Sequence, residues 1–177
     1  MNRGFTLIEM MVVLAIAAIL LAVGMPYLQG FVAKGQARSL SAELSRSIMM
    51  ARAQAVETGQ TVSICSHSGA SSPACGTAAD WSNGWIAWYG MASAGAQVAS
   101  QRVLLVTRQP ALVGISTSVG DFSFAPTGLV SRATASSTLV FTIACRANAA
   151  IAFRTVEVGR NGRVTLAPEK DDVSGCS

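Results

Sequence analysis

Glu9 is the residue whose surroundings point most directly to chemistry. It is the one charge in an apolar run of 21 residues from Phe5 to Met25, and a short head with Arg3 precedes that run. A run of this length can cross a bilayer as a helix, and the positive flank favours a cytoplasmic N-terminus. A charge inside a bilayer costs about 2.5 to 3.5 kcal/mol, so Glu9 predicts a functional site. The alternative is an acid near the membrane end that simply reaches the interface.

Four cysteines are the next candidates. They leave no odd thiol and contain no Cys-x-x-Cys pair, and the single histidine, His67, has no companions at zinc spacing. The pattern argues against a bound metal, and in an exported domain it predicts disulfides. Three pairings are open, and His67 is expected to be a solvated loop residue. We favour the two pairs that each close a polar, turn-rich segment, which are Cys65–Cys75 and Cys145–Cys176.

The remaining polar residues form no catalytic set. One histidine cannot serve a Ser/His/Asp arrangement, and the paired carboxylates Asp171 and Asp172 lie in a polar tail. No glycine-rich, phosphate-binding loop precedes a helix. The sequence therefore predicts a protein that is not an enzyme and needs no cofactor.

A long helix must position Glu9. Gly24 and Pro26 are expected to break it, because proline removes a backbone hydrogen bond and clashes with the preceding turn. We divide the chain into the apolar half of the helix at 5–25, a second half at 26–58 and a head at 59–177, with Gly59 as the helix stop. The second half has an apolar stripe that should lie on the head. Its members are Ala37, Leu40, Leu44, Ile48, Ala51 and Ala55.

Short strands at regular spacing follow the helix and predict an antiparallel β head, so the fold class is α+β. Four aromatic residues lie around the second strand, Trp81, Trp85, Trp88 and Tyr89. They are expected to pack in the core rather than to stack on the bases of a nucleic acid. The predicted strands are 61–65, 84–89, 102–108, 113–118, 122–124, 138–144, 151–158 and 163–167.

The first residues resemble a known signal. The segment Gly4-Phe5-Thr6-Leu7-Ile8-Glu9 is similar to the class III signal peptide of type IV pilins and type II secretion pseudopilins. The resemblance implies that prepilin peptidase removes residues 1–4 after Gly4 and that Phe5 is N-methylated. It also implies that Glu9 pairs with the N-terminal amine of a neighbouring subunit. The expected location is the bacterial inner membrane before assembly, and the pilus afterwards.

The head resembles the GspH/FimT group of minor pilins, through segments 51–56, 61–65, 80–85, 121–128 and 154–164. This implies a type IV pilin-like fold, with the long helix packed on two antiparallel sheets. The implied partners are other minor and major pilins, which bind through the N-terminal helix, and the inner-membrane assembly platform. Two disulfides and a basic head favour the type IV pilus members of the group.

The expected function is that of a minor pilin in the priming or tip complex of a type IV pilus. One alternative is a minor pseudopilin of a type II secretion system, for which the same N-terminal helix and glutamate would be expected. Another is a DNA-binding pilin for natural transformation, since seven arginines and two acids lie between Arg102 and Arg163. The group's Gly-Arg-x-Arg motif is only half matched, at Gly162-Arg163-Val164-Thr165, and nearby acids weaken the patch. The candidate contacts to double-stranded DNA are Arg146, Arg154, Arg160 and Arg163.

Overall fold

A computed structural model describes the chain at residues 6–69, 74–76, 81, 83–91, 102–106, 110–132, 138–169 and 176. Of residues 22–23, 25–29, 102–106 and 132 it describes the backbone alone. Gly4 and Phe5 lie outside the described residues, as do most of the loop at 70–80 and the segment at 92–101. The tail is described at 168–169 and 176.

The helix α1 spans Leu7–Thr58. Its N-cap is Thr6, whose hydroxyl oxygen accepts a hydrogen bond from the Glu9 backbone N–H at 3.3 Å. This bond satisfies one of the N–H groups that have no partner within a helix. Gly59, with a φ of 67°, ends the helix in the left-handed conformation that glycine adopts without steric cost. The predicted stop at Gly59 is therefore confirmed.

The backbone stays helical through Gly24 and Pro26, so the predicted break does not interrupt α1. A proline removes one hydrogen bond from the helical ladder, and the bonds on either side can hold the helix together. A bend at this point stays a prediction. No helix within the described part of the chain is both long enough and apolar enough to cross a membrane.

The second half of α1 lays one face on the head. The buried positions recur at steps of three and four residues, as an amphipathic helix requires. All of the predicted stripe is buried, and Ala33 extends it towards the N-terminus. The stripe is small at both ends, where alanine allows the helix axis to approach the sheets closely, and large in the middle, where Leu40, Leu44 and Ile48 fill the core.

The described residues form nine strands in two antiparallel sheets, which confirms the predicted α+β architecture. The strands are β1 (Val62–Ser66), β2 (Trp85–Tyr89), β3 (Arg102–Val106), β4 (Val113–Thr117), β5 (Asp121–Phe124), β6 (Val130–Arg132), β7 (Thr138–Cys145), β8 (Ala152–Gly159) and β9 (Val164–Leu166). One sheet has the order β3-β2-β1-β5-β6 and the other has the order β4-β7-β8-β9. The sequence missed β6, whose three residues carry no alternating pattern.

Aromatic side chains fill the space between the sheets and α1. The rings of Trp81 and Phe141 meet edge-on with centroids 5.0 Å apart, and Phe122 lies 5.8 Å from Phe141. The Trp81 indole N–H donates to the Val119 carbonyl at 3.1 Å, so its polar atom is satisfied in the core. Trp85 and Trp88 are also buried, and the predicted packing role of the tryptophans is confirmed.

Two disulfides staple the head, and they join the pairs that the sequence favoured. Cys65 bonds to Cys75, and Cys145 bonds to Cys176. His67 was expected in solvent, but it is only 8% exposed. Its backbone pairs with Cys75 in an isolated β-bridge, and its Nδ1 accepts a hydrogen bond from the Gly69 N–H at 3.1 Å. Cys75, which the disulfide joins to Cys65, is thus the backbone partner of His67, and a local pattern could not show that contact.

Candidate assembly site

The N-terminal turn of α1 presents one carboxylate on an apolar rod. Glu9 is exposed and lies in the first turn, where a negative charge interacts favourably with the helix dipole. Its neighbours Leu7, Ile8 and Met10 are 78%, 68% and 49% exposed. The site is therefore a single anion among apolar side chains that no described residue covers. Such an arrangement can bind a cation on an apolar partner.

The exposed apolar surface continues along the helix. Leu14, Ile19, Leu20 and Leu21 are each at least 65% exposed, and Phe31 is 76% exposed. Soluble monomers rarely leave contiguous apolar patches of this extent in water. The part of α1 from Leu7 to Val32, which we call the projecting half, therefore presents an apolar surface of the kind that marks an interaction site.

Polar contacts fix the second half of α1 to the head at both ends. Near the projecting half, the Gln36 side-chain oxygen accepts from the Leu112 N–H at 3.1 Å. Arg38 Nε lies 2.7 Å from Glu169 Oε2, which joins the helix to the C-terminal tail. Near the end of the helix, Arg52 Nε donates to the Gly128 carbonyl at 3.0 Å.

Arg52, Gly128 and Gly162 form a junction that sequence reasoning missed. A Cβ at Gly162 would overlap the Gly128 carbonyl oxygen and lie 2.6 Å from Arg52 Nε. The junction therefore needs glycine in the turn between β8 and β9. Its members are far apart in sequence, and the helical pattern placed Arg52 off the apolar stripe. Two glycines in turns were the available signal, and they do not identify their partner.

The turn between β8 and β9 holds two of the four candidate DNA contacts. Arg160 and Arg163 are both exposed there. The Gly159 N–H donates to the Arg163 carbonyl at 2.9 Å, and the Gly162 N–H donates to the Gly159 carbonyl at 2.8 Å. These bonds make a tight turn that displays both arginines.

The other two arginines lie elsewhere, so the four do not form one patch. Arg146 follows β7 at the end where Ala144 pairs with Ala152, whereas Arg160 follows the opposite end of β8. Seven strand residues separate those ends, which is about 24 Å. Arg154 is half-buried and pairs in register with buried Ile143.

This architecture, a long N-terminal helix packed on a two-sheet β head, defines a pilin-like protein. The family model described as "Type II transport protein GspH" matches residues 40–167, and the prokaryotic N-terminal methylation motif matches residues 1–25. The first match covers well over half of the chain. The chain therefore belongs to the GspH family of minor pilins and pseudopilins.

Solved structures share the fold. Two crystal forms of the type IV minor pilin FimU from Pseudomonas aeruginosa align with TM-scores of 0.55 and 0.58 at 19% identity. They cover 79% and 83% of this chain and 99% of FimU. The minor pseudopilin EpsH of the Vibrio cholerae Type 2 Secretion System aligns with a TM-score of 0.50 at 12% identity, over 74% of this chain and 95% of EpsH.

A relative is also found by sequence. The "Type IV major alpha-pilin" of Moraxella bovis is 46% identical over 44 residues. That stretch is 25% of this chain and 28% of the Moraxella protein. The chain thus matches little more than a quarter of the length of that curated relative.

Proposed function

We propose that this protein is a minor pilin of a type IV pilus and acts in the priming or tip complex that starts or supports assembly. The observation that carries the proposal is the lone exposed carboxylate of Glu9 on an uncovered apolar helix, joined to a head of the GspH family. The role is structural. The helix supplies the attachment, and the head supplies the contacts that distinguish this subunit.

Maturation comes first in the proposed sequence of events. Prepilin peptidase cleaves after Gly4, and the new N-terminal residue, Phe5, is methylated on its amine. Support comes from the methylation motif that matches residues 1–25. Cleavage removes Arg3 and creates an amine four residues before Glu9, so one subunit then carries both partners of an ion pair.

The membrane stores the subunit before assembly. The apolar run at 5–25 is 21 residues long, and part of it lies outside the residues whose side chains are described. We place it across the inner membrane, with the N-terminus in the cytoplasm, where it can reach the assembly platform. A bare carboxylate is costly in lipid, and pairing Glu9 with a neighbour's N-terminal amine removes that cost. The pairing fixes the axial register between neighbouring helices in the filament core.

A pilus is favoured over a secretion system by the head. It carries two disulfides, and the structures of the type IV minor pilin FimU overlap it slightly better than EpsH does. Deletion of the gene separates the two roles. We expect a loss of piliation with secretion intact, and the reverse result would assign the protein to a secretion system.

The test of the assembly role uses Glu9→Leu and Glu9→Gln in the full chain. We expect either change to leave the protein in the membrane and to lower its recovery in sheared pili about tenfold or more, because an uncompensated amine would remain in an apolar bundle. Glu57→Gln is the matched control, since Glu57 is also an exposed glutamate of α1. Immunoblots of membrane and sheared fractions give the result. Equal recovery of all variants would contradict the proposal.

A further inference from the structure

Two apolar and two basic residues lie on three connected segments at the end of the head farthest from the projecting half of α1. We call this surface the distal corner and define it by Val56, Leu129, Arg160 and Arg163. Val56 and Leu129 are 54% and 51% exposed, and both arginines are exposed. A Cβ at Gly128 would lie 3.1 Å from a Val56 methyl carbon, so the Leu129 loop rests against the helix. The Val130 N–H donates to the Arg160 carbonyl at 2.9 Å, which ties that loop to the arginine turn.

The backbone under the distal corner is held in place from three sides. Arg52 Nε bonds to the Gly128 carbonyl at 3.0 Å, and Asn161 Oδ1 accepts from the Arg163 N–H at 3.0 Å. Gly162, with a φ of 73°, completes the turn. A surface whose backbone is already ordered loses less entropy when it binds a partner. This is a property of an interface rather than of a free loop.

The composition of the distal corner selects the chemistry of its partner. Exposed aliphatic groups gain from being covered, and arginine is enriched at protein interfaces because its planar fork pairs with carboxylates. Glu57, next to Val56, is also exposed and carries one negative charge against the two positive charges of the arginines. The net charge of this surface is therefore positive, and a complementary partner carries carboxylates around an aliphatic patch.

A nucleic acid fits these observations less well. The affinity of a protein for duplex DNA comes largely from phosphate contacts made by several Lys and Arg side chains together. Of the four arginines considered for DNA, two lie at the distal corner, while Arg146 is about 24 Å away along the sheet. The aliphatic pair Val56 and Leu129 has no counterpart on a phosphate backbone.

We propose that the distal corner docks the carboxylate-bearing, aliphatic surface of a neighbouring pilin head. The proposal rests on the assembly role and identifies the part of the head that meets a neighbour. It commits to a protein partner within the filament. Binding of duplex DNA at the same arginines is the competing outcome.

The experiment uses the full chain in cells that make pili. A photo-crosslinking phenylalanine derivative replaces Leu129, and in a matched control it replaces Val140, which is 39% exposed on β7. We expect light to join the Leu129 variant to another pilin, which mass spectrometry of sheared pili identifies. Adding Arg160→Glu and Arg163→Glu should lower that product about tenfold, because like charges then face each other. Adding Arg146→Glu should leave it unchanged.

Each result decides between the hypotheses. A Leu129 adduct to a pilin that depends on Arg160 and Arg163 supports docking. Entry of the protein into sheared pili without such an adduct contradicts the docking proposal and leaves the assembly role supported. An adduct whose yield does not change on charge reversal has the same meaning. Duplex DNA binding by the purified full chain that is lost on the same reversal, with the adduct unchanged, also overturns docking. Absence from sheared pili overturns the assembly role and the docking with it.

Discussion

Gly162 lies at a position of the head that has no room for a side chain. Its φ of 73° lies in the left-handed region, and the Gly128 carbonyl and the Arg52 guanidinium occupy the space that a Cβ would take. Any other residue at this position would therefore suffer both backbone strain and a steric overlap of its Cβ. The residue sits where α1, the β5–β6 loop and the β8–β9 turn meet.

Gly162→Ala should lower the free energy of unfolding by about 1 to 3 kcal/mol, the usual cost of a non-glycine residue in a left-handed conformation. Chemical denaturation of the full chain in detergent measures the change. Gly35→Ala is the control, because Gly35 is exposed within α1 and nothing lies within 4 Å of its Cβ position. That change should stabilise by about 0.5 to 1 kcal/mol. Equal effects at the two sites would contradict the junction at Gly162.

At single residues, the sequence identified those that stand out from their neighbours in the chain. Glu9 was proposed as a site because one charge interrupts an apolar run, and this stays a prediction. Gly59 was predicted as the helix stop because a glycine follows an amphipathic stretch, and the structure confirms it. Arg52 and His67 escaped, since their surroundings come from segments distant in the chain. Arg52 reaches Gly128, and the backbone of His67 pairs with that of Cys75.

At the scale of elements, α1 is one continuous helix whose two halves have different surroundings. From Leu7 to Val32 its large side chains are exposed wherever they are described, and from Ala33 to Ala55 a stripe is buried. The sequence predicted this division because the 3.6-residue pattern starts only after Gly35. It did not predict helical continuity through Pro26, because a proline signals a lost hydrogen bond without saying whether its neighbours compensate.

The buried stripe should carry much of the stability of the helix–head contact. Leu44 is fully buried, and Leu44→Ala should destabilise by about 2 to 5 kcal/mol through lost burial and the cavity it leaves. Met49, five residues further along the helix, is 51% exposed, and Met49→Ala should change the stability by less than about 0.5 kcal/mol. Denaturation midpoints of the two variants give the comparison. A large effect at Met49 would show that the exposed face is already covered in the isolated chain.

The positions of most strands could be predicted from local sequence, whereas their pairing could not. The ends of the eight predicted strands agree with the structure to within about two residues wherever they are described. Residues 107 and 108 of the third predicted strand lie outside the described residues. β6 was missed because three residues cannot show a period of two. It exists because Ser123 and Phe124 of β5 offer it a partner. Which strands share a sheet is likewise set by pairing and not by the pattern within one strand.

At the scale of the whole molecule, the two disulfides differ in the length of chain they close. Cys145–Cys176 spans 31 residues and Cys65–Cys75 spans 10. The chain-entropy relation gives about 3.7 kcal/mol for the first and about 2.7 kcal/mol for the second. The Cys145→Ser, Cys176→Ser double variant should therefore be less stable than the Cys65→Ser, Cys75→Ser variant by about 1 kcal/mol. Denaturation under non-reducing conditions tests this order, and the opposite order would mean that packing around Cys65 outweighs loop closure.

The disulfides also show what a sequence can say about the whole chain. Their pairing followed from closing turn-rich segments, yet the sequence did not show that the longer one secures the tail near α1. Cys176 Sγ lies 3.6 Å from the Leu112 carbonyl oxygen, and the Leu112 N–H binds Gln36 of the helix. The tail, β4 and α1 therefore meet beside the point where the helix leaves the head.

The buried stripe of α1 has a mechanical consequence. It runs parallel to the helix axis from Ala33 to Ala55, a distance of about 33 Å. A pull on the projecting half would slide the helix along the sheets and strain all of those contacts together. Peeling would break them one after another at a much lower force. The head is therefore expected to resist traction along its own rod far better than a sideways tug of equal size.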